Sequence, residues 1–96
     1  MDYELHLGEG FKGEAVVVEV DGAEMARLKI RTRMQIGLAH IEKLGKLKPG
    51  QTVAVRLPDL NLSVEHDVVA GRPFILVTLE NGALRLKARE TMPGYL

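Results

Sequence analysis

The stretch Glu14-Ala15-Val16-Val17-Val18-Glu19-Val20-Asp21-Gly22-Ala23-Glu24-Met25-Ala26-Arg27-Leu28-Lys29-Ile30-Arg31 decides the fold. Val16, Val18 and Val20 recur at every second position, the period at which side chains leave one side of an extended chain. Beyond Asp21-Gly22 the alternation resumes. Ala26, Leu28 and Ile30 then share one side, and Arg27, Lys29, Arg31 and Arg33 the other. Asp-Gly between two alternating runs suits a two-residue hairpin, because both central positions of that turn take positive φ. The segment predicts two antiparallel strands with one apolar face.

The same period runs outward in both directions. Upstream, Tyr3, Leu5 and Leu7 alternate with Asp2, Glu4 and His6, a strand with one wet face. Downstream, Val53, Val55 and Leu57, then Leu60, Leu62 and Val64, then Leu84, Leu86 and Ala88 mark inward sets. Lys48-Pro49-Gly50, Pro58-Asp59 and Ala70-Gly71-Arg72-Pro73 break the runs, and Asn81-Gly82 is a second tight hairpin turn. Residues 34–48 read two ways. Leu38, Ile41 and Leu44 at spacing three could line a short helix. Gly37 and Gly45 would each weaken it by roughly 1 kcal/mol relative to Ala. A loop followed by a short strand around His40–Leu44 is therefore favoured. Together these segments predict an all-β chain, an antiparallel two-sheet sandwich or small barrel of seven to eight short strands. At most one short helical turn is expected, near residues 34–45, in a single domain over residues 1–96.

Composition bounds the function. The 96 residues carry 13 basic and 13 acidic side chains, so there is no net charge to draw the chain to nucleic acid or to an acidic membrane. Nucleic acid is accordingly not favoured as a partner. Cysteine is absent, which removes disulfides, thiolate metal sites and a thiol nucleophile. The opening Met-Asp-Tyr-Glu-Leu-His lacks the basic and apolar regions of a signal peptide. No apolar run is longer than Phe74–Val77, far short of the roughly 20 residues that cross a bilayer. A cytoplasmic protein without membrane association is expected.

No motif survives its context. Gly8-Glu9-Gly10-Phe11-Lys12-Gly13 spells the dinucleotide-binding pattern, but a strand follows it where a helix must open onto the pyrophosphate. The glycines are read as a flexible connection. His6, His40 and His66 are widely spaced; His6 and His66 alternate onto polar positions, and all three are read as solvated surface residues rather than metal ligands. Ser63, the only serine, sits in a strand pattern without a sharp glycine elbow. The sequon Asn61-Leu62-Ser63 falls within that pattern too and is discounted. No catalytic residue, cofactor or metal is expected, and the chain is read as a non-enzyme.

Two features remain. Arg27, Lys29, Arg31 and Arg33 form one basic ladder, and Arg85, Lys87 and Arg89 another. If their strands adjoined, they would make one cationic surface for an anionic ligand or nucleic acid. Cross-strand pairing with carboxylates is the simpler use, since like charges directly opposite are destabilising. Separately, Ala15–Val20 and Phe74–Leu79 are apolar on both faces. Such strands need a second cover, either the tail with Met92, Tyr95 and Leu96 or another subunit. The favoured expectation is a small interaction module and homo-oligomer that self-associates through Phe74, Ile75, Leu76, Val77, Tyr95 and Leu96, with a different protein partner as a lesser option. The alternative is an anion-binding module built on the basic ladders.

Overall fold

The computed structural model describes residues 1–94. Eight strands follow one another: β1 (Asp2–Leu7), β2 (Lys12–Val20), β3 (Ala23–Arg31), β4 (His40–Lys46), β5 (Thr52–Leu57), β6 (Leu62–Asp67), β7 (Phe74–Glu80) and β8 (Ala83–Arg89). They form two four-stranded sheets, ordered β4-β1-β7-β8 and β3-β2-β5-β6. The sheets pack face to face as an all-β sandwich, as the period of two requires. At one side β3 lies over β4, and at the other β6 lies over β8.

Both predicted hairpins form. Asp21 and Gly22 take φ of 49° and 82°, and Asn81 and Gly82 take 51° and 76°. These signs give the backbone twist that matches right-twisted flanking strands. Residues 34–48 are a loop followed by β4. The loop is closed by a bridge between Arg33 and Leu38, with Gly37 N donating to Arg33 O at 2.8 Å. The single helical turn among the described residues is a 3-10 turn at Pro58–Leu60, outside residues 34–45. Proline at its first position fixes φ and lacks a donor the turn could not use.

One strand pair departs from antiparallel order. β1 and β7 are parallel, Leu5 beside Ile75 and Leu7 beside Val77. They are joined through strands of both sheets rather than by a hairpin, so no tight turn forces them to oppose. The pairing makes β1 and β7 interior strands. Leu5, Leu7, Ile75 and Val77 are fully buried between the sheets, facing Val16, Val18, Val53, Val55 and Leu57. Fully burying each such side chain contributes on the order of 1.5–3 kcal/mol.

The predicted inward sets of β3, β6 and β8 point inward but are graded, except Leu60, which is exposed because it ends the 3-10 turn before β6 begins. Ile30 is buried, whereas Leu28, Leu62, Val64, Leu84 and Leu86 are half-buried. All lie on edge strands, where the sandwich closes on one side only.

Candidate functional site

The β1–β2 connection crosses the end of the sandwich, and a cleft opens beside it. Glu9 O accepts from Leu79 N at 2.9 Å, which ties the connection to the end of β7. Gly10, at φ 97°, presses its Cα against the Leu79 carbonyl. Phe11 then turns inward to 2% exposure. Thr32 locks the other side, since Phe11 N donates to its hydroxyl at 3.0 Å and that hydroxyl donates to Gly8 O at 2.7 Å. The connection read as flexible is thus fastened by hydrogen bonds and by the absence of a Cβ at Gly10.

The cleft lies between this connection and the 33–38 turn. It encloses about 570 Å³, with Glu9, Phe11, Lys12, Arg31, Thr32 and Met34 on its walls. That volume is in the range of small-molecule sites. Met34 is 92% exposed at its rim. Lys12 and Arg31 are direct cross-strand partners. Arg31 donates through Nη2 to Lys12 O at 3.3 Å, and Glu14 accepts from Lys12 N. Among the described residues neither the Lys12 ammonium nor the Arg31 guanidinium forms an ion pair with a carboxylate. Two like charges facing each other across a strand pair repel; the carboxylates nearby are Glu9, on the cleft wall, and Glu14, which is bonded to Lys12 N. Thr32 has its hydroxyl hydrogen committed to Gly8 O and so holds backbone rather than offering a nucleophile.

The two basic ladders are on different sheets and do not adjoin. In the β3 ladder, Arg27 pairs with Glu24 at 2.8 Å, and that hydrogen bond raises its pKa above the ordinary value. Arg31 turns to the cleft, and Arg33 lies beyond the strand, bridged to Leu38. Lys29 lies across from Ala15. An ion pair the sequence did not flag joins Arg56 to Glu19 at 2.7 Å on the same sheet, with the same upward effect on the arginine. The β8 ladder is different. Arg85, Lys87 and Arg89 stand beside Thr78, Leu76 and Phe74, and none forms an ion pair among the described residues.

The expected self-association residues separate as well. Ile75 and Val77 belong to the inter-sheet core, while Phe74 and Leu76 are half-buried on the opposite side of β7. Pro93 of the tail is buried and Met92 exposed; Tyr95 and Leu96 lie outside the described residues.

The histidines correct the sequence reading. His6 is fully buried rather than solvated. β1 is an interior strand, so His6 is flanked by Ile41 and Leu76, its ring meets Phe74 edge-on, and Nε2 donates to Glu4 Oε1 at 3.0 Å. His66 also leaves the polar side. It shares the inner side of β6 with Leu62 and Val64, and its Nε2 is enclosed without a hydrogen-bond partner. Burial lowers its pKa below the ordinary value, partly opposed by Asp67. His40 bonds Glu42 on β4 at 2.9 Å. The three do not converge, and among the described residues no group of three or more His, Cys, Asp or Glu could hold a metal ion.

Of the cleft cations, the sequence reading named Arg31 and missed Lys12. The bulge between Lys12 and Glu14 shifts the register and sets Lys12 opposite Arg31, a displacement that alternation does not encode. Among the described residues no helix is long and apolar enough to cross a membrane. Comparison with protein-family models, with curated proteins and with solved structures finds no match for this chain.

Proposed function

We propose that the domain is a non-enzymatic binding module for a small anionic ligand with an apolar body, taken up in the cleft beside the β1–β2 connection. The observation that carries this reading is the cross-strand pair Lys12 and Arg31, two cations directly opposite, neither in an ion pair among the described residues. An anion seated there would relieve their repulsion and accept charge-assisted hydrogen bonds from both. Met34 supplies exposed apolar surface at the rim, and Phe11 backs the cleft from within the core. Thr32 and Gly10 keep the wall in place without a ligand, so little ordering entropy opposes binding. Glu9, also on the cleft wall, disfavours ligands with a second negative charge.

Phenyl phosphate, compared with inorganic phosphate, is the direct probe. Amide shifts at Phe11 and Thr32 should move on titration with phenyl phosphate, and more weakly with phosphate alone. Lys12→Gln and Arg31→Gln should each weaken binding by about tenfold, the scale of one lost charge-assisted hydrogen bond. Arg85→Gln, on the other sheet, should leave it unchanged. Absence of shifts in the cleft, or equal weakening by Arg85→Gln, removes the reading.

A further inference from the structure

One side of the sandwich carries opposite charges on its two edges. β8 ends the first sheet and turns Arg85, Lys87 and Arg89 outward; β6 ends the second and turns Ser63, Glu65 and Asp67 outward. All six side chains are exposed. Their neighbours within each sheet compensate these charges only in part: Arg56 of β5 acts on Glu65, and Glu80 of β7 lines one shallow depression with Arg85 and Lys87. β8 faces Thr78, Leu76 and Phe74 of β7, and Glu65 faces Ala54 of β5. Among the described residues, Asp67 accepts from the Thr52 hydroxyl, at 3.2 Å.

Charge on an edge strand ordinarily keeps sheet edges apart. Like signs on both edges would repel a second copy in any arrangement. Opposite signs on the two edges of one side do not, because one arrangement brings them together. β6 reaches β7 through residues 68–73, and β7 and β8 are a hairpin, so β6 and β8 run in the same direction. A two-fold axis parallel to the strands exchanges the levels of the two sheets. It sets β8 of one copy beside β6 of the other, in parallel, and repeats the contact in reverse. Outward residues recur about every 6.6 Å on both strands, so the cationic and acidic ladders match in pitch. A two-fold axis normal to the sheets would instead set cations against cations.

We propose that this chain forms a homodimer of the first kind, β8 of each copy beside β6 of the other. The second copy also covers what the edge leaves open. Leu62, Val64, Leu84 and Leu86 pack on the core yet are only partly buried at this side. Burying such surface is the non-directional part of association, and the ladders select the orientation. The occupant is a second copy because a single chain offers both complementary ladders, as an isologous contact demands.

Light scattering across micromolar concentrations at low salt tests this. The wild-type chain should show twice its own mass and lose it as salt rises. Arg85→Glu with Arg89→Glu should be monomeric, and so should Glu65→Lys with Asp67→Lys. An equimolar mixture of those two variants should regain the dimer, since each then presents the sign the other lacks. Circular dichroism melting identifies any variant that fails to fold, and Arg85→Gln with Arg89→Gln is the gentler substitute. That variant should weaken the dimer by at least tenfold. A wild-type monomer at every concentration overturns the proposal, as does a dimer indifferent to both reversals or a mixture that stays monomeric.

Discussion

Gly10 and Leu79 are in direct backbone contact: a Cβ on Gly10 would fall inside the Leu79 carbonyl group. The same glycine takes φ 97°, a conformation L side chains rarely adopt. Gly10→Ala therefore combines a steric clash that only backbone movement relieves with left-handed strain. Strain of this kind amounts to about 1–3 kcal/mol by itself, and the clash adds to it. The variant should lose roughly 3 kcal/mol or more in denaturant unfolding. Gly22→Ala, with φ 82° but open space around it, isolates the strain and should lose only about 1–2 kcal/mol. Equal losses would mean that the Leu79 contact is relieved without penalty.

Asp21 does more than form a turn. Its carboxylate accepts from Gln51 Nε2 at 2.8 Å and from Thr52 N at 2.9 Å, fastening the β2–β3 hairpin to the start of β5. These bonds, the Gln51 one foremost, hold its pKa below the ordinary 3.8. A carboxyl whose folded pKa is depressed binds its proton more readily in the unfolded chain. Its contribution is present above 3.8 and lost as pH falls through the lower folded value. Asp21→Asn keeps tolerance for φ 49° but removes this titration. Its melting midpoint should fall less steeply with acid than the wild type below about pH 4, measured by circular dichroism.

Much of the fold was legible, and the reason is local. Asp21-Gly22 and Asn81-Gly82 state their turns in two residues each, and the valines of β2 and β5 state their faces by alternation. Gly37 and Gly45 were enough to turn residues 34–48 from helix to loop and strand, and both take positive φ. What could not be read depends on which strands become neighbours. His6 looks like a polar residue on a wet face until β7 arrives beside β1 and puts Phe74 and Leu76 against it. Ile75 and Val77 cannot be distinguished from Phe74 and Leu76 by hydropathy, yet one pair is core and the other is not. The cleft was half visible: Arg31 lay in a ladder already noted, while Lys12 was hidden by a bulge.

His66 gives the fold a second pH dependence, near neutrality. Its Nε2 is enclosed without a partner, and burial pushes its pKa below the ordinary 6.5. The unfolded chain therefore takes up a proton before the folded one does. The stabilisation is complete above about 6.5 and is lost as pH falls through the lowered folded value. His66→Leu keeps an apolar body among Leu62 and Val64 and has no proton to take up. Its stability should be level between roughly pH 7 and 5, where the wild type declines. A wild type equally level over that range would show that His66 stays solvated on both sides of the transition.

Core position should grade the effect of truncation more finely than residue type does. Leu5 is fully buried on an interior strand, between β4 and β7. Leu86 points the same way from an edge strand and is half-buried. Leu5→Ala leaves a closed cavity and should lower stability by about 3–5 kcal/mol. Leu86→Ala opens onto solvent that can fill the gap, so about 1–2 kcal/mol is expected. If the dimer forms at β6 and β8, the Leu86 value should grow with protein concentration while the Leu5 value stays fixed, because only the former then removes surface shared between copies. Unfolding in urea at two concentrations tenfold apart separates the cases. A Leu86→Ala loss as large as that of Leu5→Ala at both would show that the β8 side is closed within a single chain.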